Sequence, residues 1–260
     1  MQSDRGVVRS EIIGRVMKIT IDNPAKKNSF IPEMMADLSN ALTELNNNND
    51  LWVGVLCAVG DHFTAGLDMT KFFGPGAEAR TFEDGKIDPF GLRNVCKKPI
   101  ITAVQGITFT IGIELALAGD IVVAADSARF CQMEAKRGIA PFGGAHFRYI
   151  TRSGWGNAMY HLLLCDEFDA AEAYRVGLVQ EVVPHGTQID RAMELAEIVA
   201  KNAPLGIQLT KEAGRTFIHE GEQAAIAVIP DIQKQVMGTE DMLEGMRSFM
   251  ERREAEFKGK

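Results

Sequence analysis

The chain has little of what builds a metal or redox centre. Its four cysteines, Cys57, Cys96, Cys131 and Cys165, lie far apart in apolar stretches. Zinc sites and dithiols need paired spacing, so these residues read as buried thiols in a reducing compartment. The five histidines are scattered and form no His-Glu-x-x-His helix, so no metal is expected. Positive charge is also short. With 28 Lys and Arg against 35 Asp and Glu the formal charge is −7, and no basic run interleaves with aromatics, which argues against a nucleic-acid partner.

Long apolar runs are missing too. The longest uncharged stretch, Pro99 to Ile113, is too short and too punctuated to cross a bilayer, and no apolar signal segment stands behind Met1 to Arg5. Lys258-Gly259-Lys260 is not a peroxisomal address. A cytoplasmic protein without a membrane partner is the expectation. Ser153 and Ser248 lack a nucleophile-elbow context, and Gly143-Gly144 lacks the P-loop lysine. The stretch from Gly74 to Ala79 matches a dinucleotide G-x-G-x-x-A pattern in letters. It follows Met69 to Phe73 rather than a strand and falls in a predicted mobile surface loop, Gly74 to Gly91, so a nucleotide site is set aside.

What is present is a 260-residue chain with 46% apolar residues, enough for one or two domains around a substantial core. Alternation from Ile12 to Asp22 around Gly14 predicts a strand pair ended by Asn23-Pro24, and helical spacing predicts a helix over Pro32 to Leu45. Leu51 to Val59, Ile100 to Val104 and Ile121 to Ala125 read as buried strands. Thr110 to Ala118 reads as a short buried helix capped by Thr108 or Thr110. A last strand is expected over Leu178 to Val183. After it come only helices: Gln188 to Lys201, Leu205 to His219, Glu222 to Val236 and Glu240 to Phe257. Strands alternating with helices predict an α/β fold, with a subdomain boundary at Asn202-Ala203-Pro204. That boundary divides a core, 1–203, from a helical region, 204–260.

Glu114 and Glu134 carry the clearest chemical signal. Each sits in an apolar setting, where the charged form of a carboxylate is penalised, so the pair can be tuned for proton transfer near neutral pH. Upstream, His62 to Asp68 forms a glycine-containing turn. With the start of the Glu114 helix it offers two backbone N–H groups that could converge on one oxygen and stabilise an enolate. Bland readings fit equally well on chemistry alone: a tight strand-to-helix turn, a helix-dipole partner at Glu114 and a buried ion pair at Glu134.

The order of five motifs shifts that balance. Asp22 to Asn28 (DNPAKKN), Phe63 to Asp68 (FTAGLD), Lys97 to Gly106, Gly112 to Asp120 and Gly177 to Val179 together resemble the crotonase, or enoyl-CoA hydratase/isomerase, family. The likeness extends to Glu244 to Arg253. It implies a spiral of ββα repeats followed by helices that assemble a homotrimer or a pair of trimers. It further implies an acyl-CoA thioester as substrate, with coenzyme A part of the substrate and no other cofactor. Carried onto this chain, the resemblance makes the N–H groups of Ala65 and Ile111 the oxyanion hole. Glu114 and Glu134 take both carboxylate positions of the hydratases, Glu114 activating water and Glu134 protonating C2. Lys26, Lys27, Gly66, Leu67, Asp68 and Arg252 are implied to contact the CoA thioester.

The implied reaction is reversible hydration of a 2-enoyl-CoA. A double-bond isomerase or another enolate-forming enzyme acting on an acyl-CoA through Glu134 alone, and a non-catalytic acyl-CoA binding protein, are the alternatives. Two departures bear on the acyl pocket: Thr110-Ile111 stands where hydratases commonly have glycines, and the turn from Gly138 to Gly144 is one residue shorter than usual.

Overall fold

The computed structural model describes residues 5–75 and 84–260. Most of the Gly74 to Ala79 letter match and the middle of the predicted loop lie outside them. An antiparallel pair, β1 (Val7–Ile13) and β2 (Val16–Asp22), turns at Gly14 and Arg15. The sequence pattern found β2 but only the end of β1, because β1 is largely exposed and shows no alternation. There follow α1 (Pro32–Asn47), β3 (Val53–Ala58), α2 (Met69–Phe73), β4 (Ile100–Val104), β5 (Ile107–Phe109), α3 (Ile111–Ala118), β6 (Ile121–Ala125) and β7 (Arg129–Cys131). A 3₁₀ turn at Glu134–Arg137 leads into α4 (Ala145–Leu164), β8 (Phe168–Asp169), α5 (Ala170–Arg175) and β9 (Glu181–Val183). The remainder is helical: α6 (Gln188–Ala200), α7 (Pro204–Glu220), α8 (Glu222–Ala227), α9 (Ile229–Val236) and α10 (Glu240–Glu251).

One sheet has the order β1-β2-β3-β4-β6-β9 and the other β5-β7-β8. Every residue of β3 and β4 is buried, as expected of parallel strands covered on both faces. On one face Ile19, Ile21, Leu56 and Val104 pack with α1 and α3; on the other Val53, Val55 and Ile101 pack with Ala192 and Ala196 of α6. Each of two successive repeats places its first strand in the large sheet (β4, β6) and its second in the small one (β5, β7). The repeat thereby brings three segments into parallel register: Thr64 bridges Thr108, and Phe109 pairs with Cys131. Ala65 to Leu67, Ile111 and Glu134 all follow directly at the carboxyl ends of these segments. Ligands of open α/β sheets bind at such ends.

Two helical expectations and one loop need correction. The helix predicted over Glu222 to Val236 is broken into α8 and α9, with Pro230 in the first turn of α9, where its missing N–H costs nothing. The last helix stops at Glu251, with Arg252 left-handed at its end, rather than running to Phe257. The predicted mobile loop is anchored in part: Ile87 and Asp88 are buried, and Ser39 Oγ donates to the Ile87 carbonyl at 2.6 Å. No helix among the described residues is long and apolar enough to cross a membrane.

Candidate active site

Glu114 is the fourth residue of α3 and is only 1% exposed. Its Oε1 accepts the N–H groups of Gly143 at 2.8 Å and Ala145 at 3.1 Å, so the carboxyl sits against the start of α4. Unsatisfied N–H groups at a helix start favour a negative group there. Gly143 must be glycine: a Cβ would stand 2.6 Å from both Glu114 Oε2 and the Phe90 ring. Burial raises the Glu114 pKa, and the two N–H groups and the Arg148 charge oppose that rise.

Arg148 braces this arrangement. It is buried, and its guanidinium donates to the Gly143 carbonyl at 2.8 Å and to the Phe90 carbonyl, tying the 88–91 segment to the peptide that holds Glu114. Burial lowers its pKa to about 10, which leaves it a cation at neutral pH.

Glu134 opens the 3₁₀ turn after β7 and is 7% exposed. Gln132 Nε2 donates to its Oε1 at 2.7 Å. Its pKa rises to about 7, chiefly through burial and then through the negative charge of Glu114, against the bond from Gln132. Its Oε2, the Gln132 Oε1 and the Tyr149 hydroxyl are buried with no hydrogen-bond partner among the described residues. Tyr149 is fully enclosed, and burial pushes its phenol pKa up.

Glu114, Glu134, Ala65, Leu67 and Ile111 line one cavity of about 860 Å³. Much of the rest of its wall is aromatic or thioether, including Met35, Phe72, Phe90 and Phe142.

One of the two N–H groups expected to form the oxyanion hole is engaged within its own turn. The Ala65 N–H donates to the Lys27 carbonyl at 2.9 Å, and the Gly66 N–H to Thr64 Oγ1 at 3.1 Å, so both belong to the turn. The Leu67 N–H has no acceptor among the described residues, since in the Phe30–Leu67 bridge the bonds run from Phe30 to Gly66 and from Asp68 to Phe30. Ile111, the first residue of α3, likewise has an N–H without an acceptor there. Two free donors therefore border the cavity at Leu67 and Ile111, not at Ala65 and Ile111.

Thr110 precedes α3 with φ +50° and ψ −113°, a conformation that suits glycine better than a β-branched residue, and its hydroxyl makes no cap bond. Neither predicted cap is used: Thr108 lies in β5. Thr110 Oγ1 packs so closely on Gly66, itself at φ +110°, that a Cβ there would approach to 2.5 Å. The Ile111 side chain is 6% exposed and joins the core, so it takes little of the acyl space.

The remaining sequence-predicted contacts are more peripheral. Lys26 and Lys27 are exposed on the turn whose carbonyl receives the Ala65 N–H. Gly66 and Asp68 are not part of the cavity wall, and Asp68 caps α2 through Thr70. Arg252 lies at the far end of α10, away from the wall. Gly143, Arg148 and Tyr149 were missed. The glycine pair just ahead of a helix start was the available signal, since such a terminus holds an anion, here the Glu114 carboxylate.

The profile of the Enoyl-CoA hydratase/isomerase family matches residues 11–260. The chain belongs to that family. It is 31% identical to the enoyl-CoA hydratase EchA19 of Mycobacterium tuberculosis over 95% of this chain and 94% of that protein. It is 30% identical to the 1,2-epoxyphenylacetyl-CoA isomerase of Escherichia coli, covering 97% and 98%. The crystal structure of a probable enoyl-CoA hydratase/isomerase from Mycobacterium abscessus superposes with a TM-score of 0.93 at 41% identity, covering 98% of this chain and 99% of that one. The fold is thus the crotonase fold with a helical C-terminal region, and the protein is an enzyme of that family with hydratase-like activity.

Proposed function

We propose that the cavity catalyses reversible addition of water across the double bond of a 2-enoyl-CoA thioester. The observation that carries this reading is the pair of buried carboxyls in one cavity with two free backbone donors. The thioester oxygen accepts from the Leu67 and Ile111 N–H groups, which stabilise the enolate that develops as C3 is attacked. Ionised Glu114 takes a proton from water as the oxygen bonds to C3, and protonated Glu134 delivers a proton to C2. Water is divided between C3 and C2 in the sum, and proton exchange restores the two carboxyls. No cofactor beyond the CoA of the substrate enters the scheme.

Lys26 and Lys27 are proposed to offset the CoA phosphates, and Arg252 to reach CoA bound to a neighbouring subunit of a trimer or a pair of trimers. The four free, buried cysteines suit a reducing, cytoplasmic setting. Exposing a panel of 2-enoyl-CoAs to the protein and weighing the products tests the reading: a gain of one water supports it. An isobaric product would favour the second reading, an isomerase shuttling one proton through Glu134, which the pKa near 7 and the isomerase relative keep in view.

A further inference from the structure

The turn Glu134-Ala135-Lys136-Arg137 is a 3₁₀ helix, in which residues three apart eclipse each other. Glu134 and Arg137 accordingly share a face, and both line the cavity. Lys136, off that face, pairs with Asp166 at 3.2 Å. Arg137 makes no hydrogen bond or ion pair among the described residues. Arg137, exposed and unpaired among the described residues, therefore borders the cavity one short turn from the carboxyl proposed to protonate C2.

A second cation lines the same cavity. Lys86 Nζ donates to Asn40 Oδ1 at 2.8 Å. Asn40 ends the stripe Pro32, Met35, Ala36, Ser39 and Asn40 that α1 lays along the cavity, about 12 Å long at 1.5 Å per residue. The stripe starts beside Phe30, whose backbone pairs with Gly66 and Asp68 around the free Leu67 donor. From that donor the cavity passes Glu114 and Phe90, and Ser39 holds the Ile87 carbonyl beside Lys86. Both cations thus border the cavity that holds the two carboxyls.

A plain hydrocarbon chain has no use for either cation. The two carboxyls of the site repel an anionic acyl group unless a cation offsets them. A planar guanidinium fork matches a carboxylate. The phosphates of CoA lie at the other end of the pantetheine arm from the sulfur, well beyond the roughly 6 Å that three 3₁₀ residues span.

We propose that the enoyl group itself carries a carboxylate a few atoms from its double bond, so that the substrate is a monothioester of an unsaturated dicarboxylic acid, with Arg137 reading the free carboxylate and Lys86 supporting it. The inference rests on the cavity being an acyl-CoA site.

Binding of saturated, unreactive ligands tests it independently of turnover. Calorimetry would compare a carboxyacyl-CoA with the methyl-terminated acyl-CoA of equal length, and the same acyl groups on N-acetylcysteamine, which lacks phosphates. These would be measured on the wild type, Arg137→Leu and Arg137→Lys. The wild type is expected to prefer the carboxyacyl ligand at least about tenfold, the scale of one charge-assisted pair. Arg137→Leu removes the preference on both carriers, and Arg137→Lys keeps part of it. No preference in the wild type overturns the proposal. So does an Arg137→Leu loss that is equal for both CoA esters and absent from both N-acetylcysteamine thioesters, which would assign Arg137 to a CoA phosphate. Failure of the hydration reading leaves these affinities untouched. Indiscriminate binding with normal hydration would sink the inference alone.

Discussion

Glu114 accepts two backbone N–H groups and feels the Arg148 charge, whereas Glu134 accepts from its own backbone N–H and the Gln132 side chain and feels the charge of Glu114. The partners therefore favour ionised Glu114 and protonated Glu134, the division that hydration needs. The two titrate as a coupled pair. We expect kcat/KM to rise as Glu114 ionises and to fall above pH about 7 as Glu134 loses its proton. Glu114→Gln removes a charge that raises the Glu134 pKa, so the falling limb of its residual activity should move to lower pH. A wild-type rate still climbing through roughly pH 8 would contradict this.

Arg148 is a positioning residue on the same logic. Arg148→Met removes both the clamp on Gly143 and a charge that lowers the Glu114 pKa. The rising limb should then shift to higher pH and kcat fall roughly a hundredfold, the effect of about 1 Å of misplacement, with KM little changed. Arg148→Lys should restore the limb and only part of kcat. Lower thermal stability with an unmoved limb would make the residue merely structural.

Among the elements, those with strong periodicity were legible and those fixed by tertiary pairing were not. The apolar spacing of α1 and the continuous apolar runs of β3, β4 and β6 come from burial, which composition records. Three-residue strands such as β5 and β7 are too short to show a period, yet they align the site. Helix α4 escaped because Gly154, at φ +75° and ψ +163°, kinks it beside Trp155 and Gly156. Glu114 stands out in the sequence as the single charge of an apolar run, whereas Glu134, followed by Lys136 and Arg137, is legible mainly through the order of the motifs around it. No pattern of letters shows that the Ala65 N–H is consumed within its turn while that of Leu67 has no acceptor among the described residues.

Replacing one amide by an ester, which deletes a single N–H, discriminates these donors. At residue 67 the ester should lower turnover by about 10²- to 10³-fold with stability nearly unchanged. At residue 65 it should chiefly weaken the turn, by roughly 0.5–1.5 kcal/mol in denaturant unfolding. The reverse pattern would return the role to Ala65.

Across the whole molecule, the helical region leaves apolar surface uncovered: Phe249 is 85% exposed, Met250 72% and Phe217 55%. Patches of this kind mark contact surfaces, and we expect 204–260 to form the assembly region of a trimer or a pair of trimers. Phe249→Asp with Met250→Asp should shift the mass seen by light scattering toward the monomer; a monomeric wild type would refute the assignment. At this scale too the proposed chemistry has one core, that two carboxyls from successive repeats share one hydration. Its most direct test is the rate of water addition to an accepted 2-enoyl-CoA by Glu114→Gln and Glu134→Gln, with bound-thioester affinity measured alongside. Each variant should lose about two to four orders of magnitude in kcat while binding the thioester almost as the wild type does. Near-normal hydration by either variant would contradict the account.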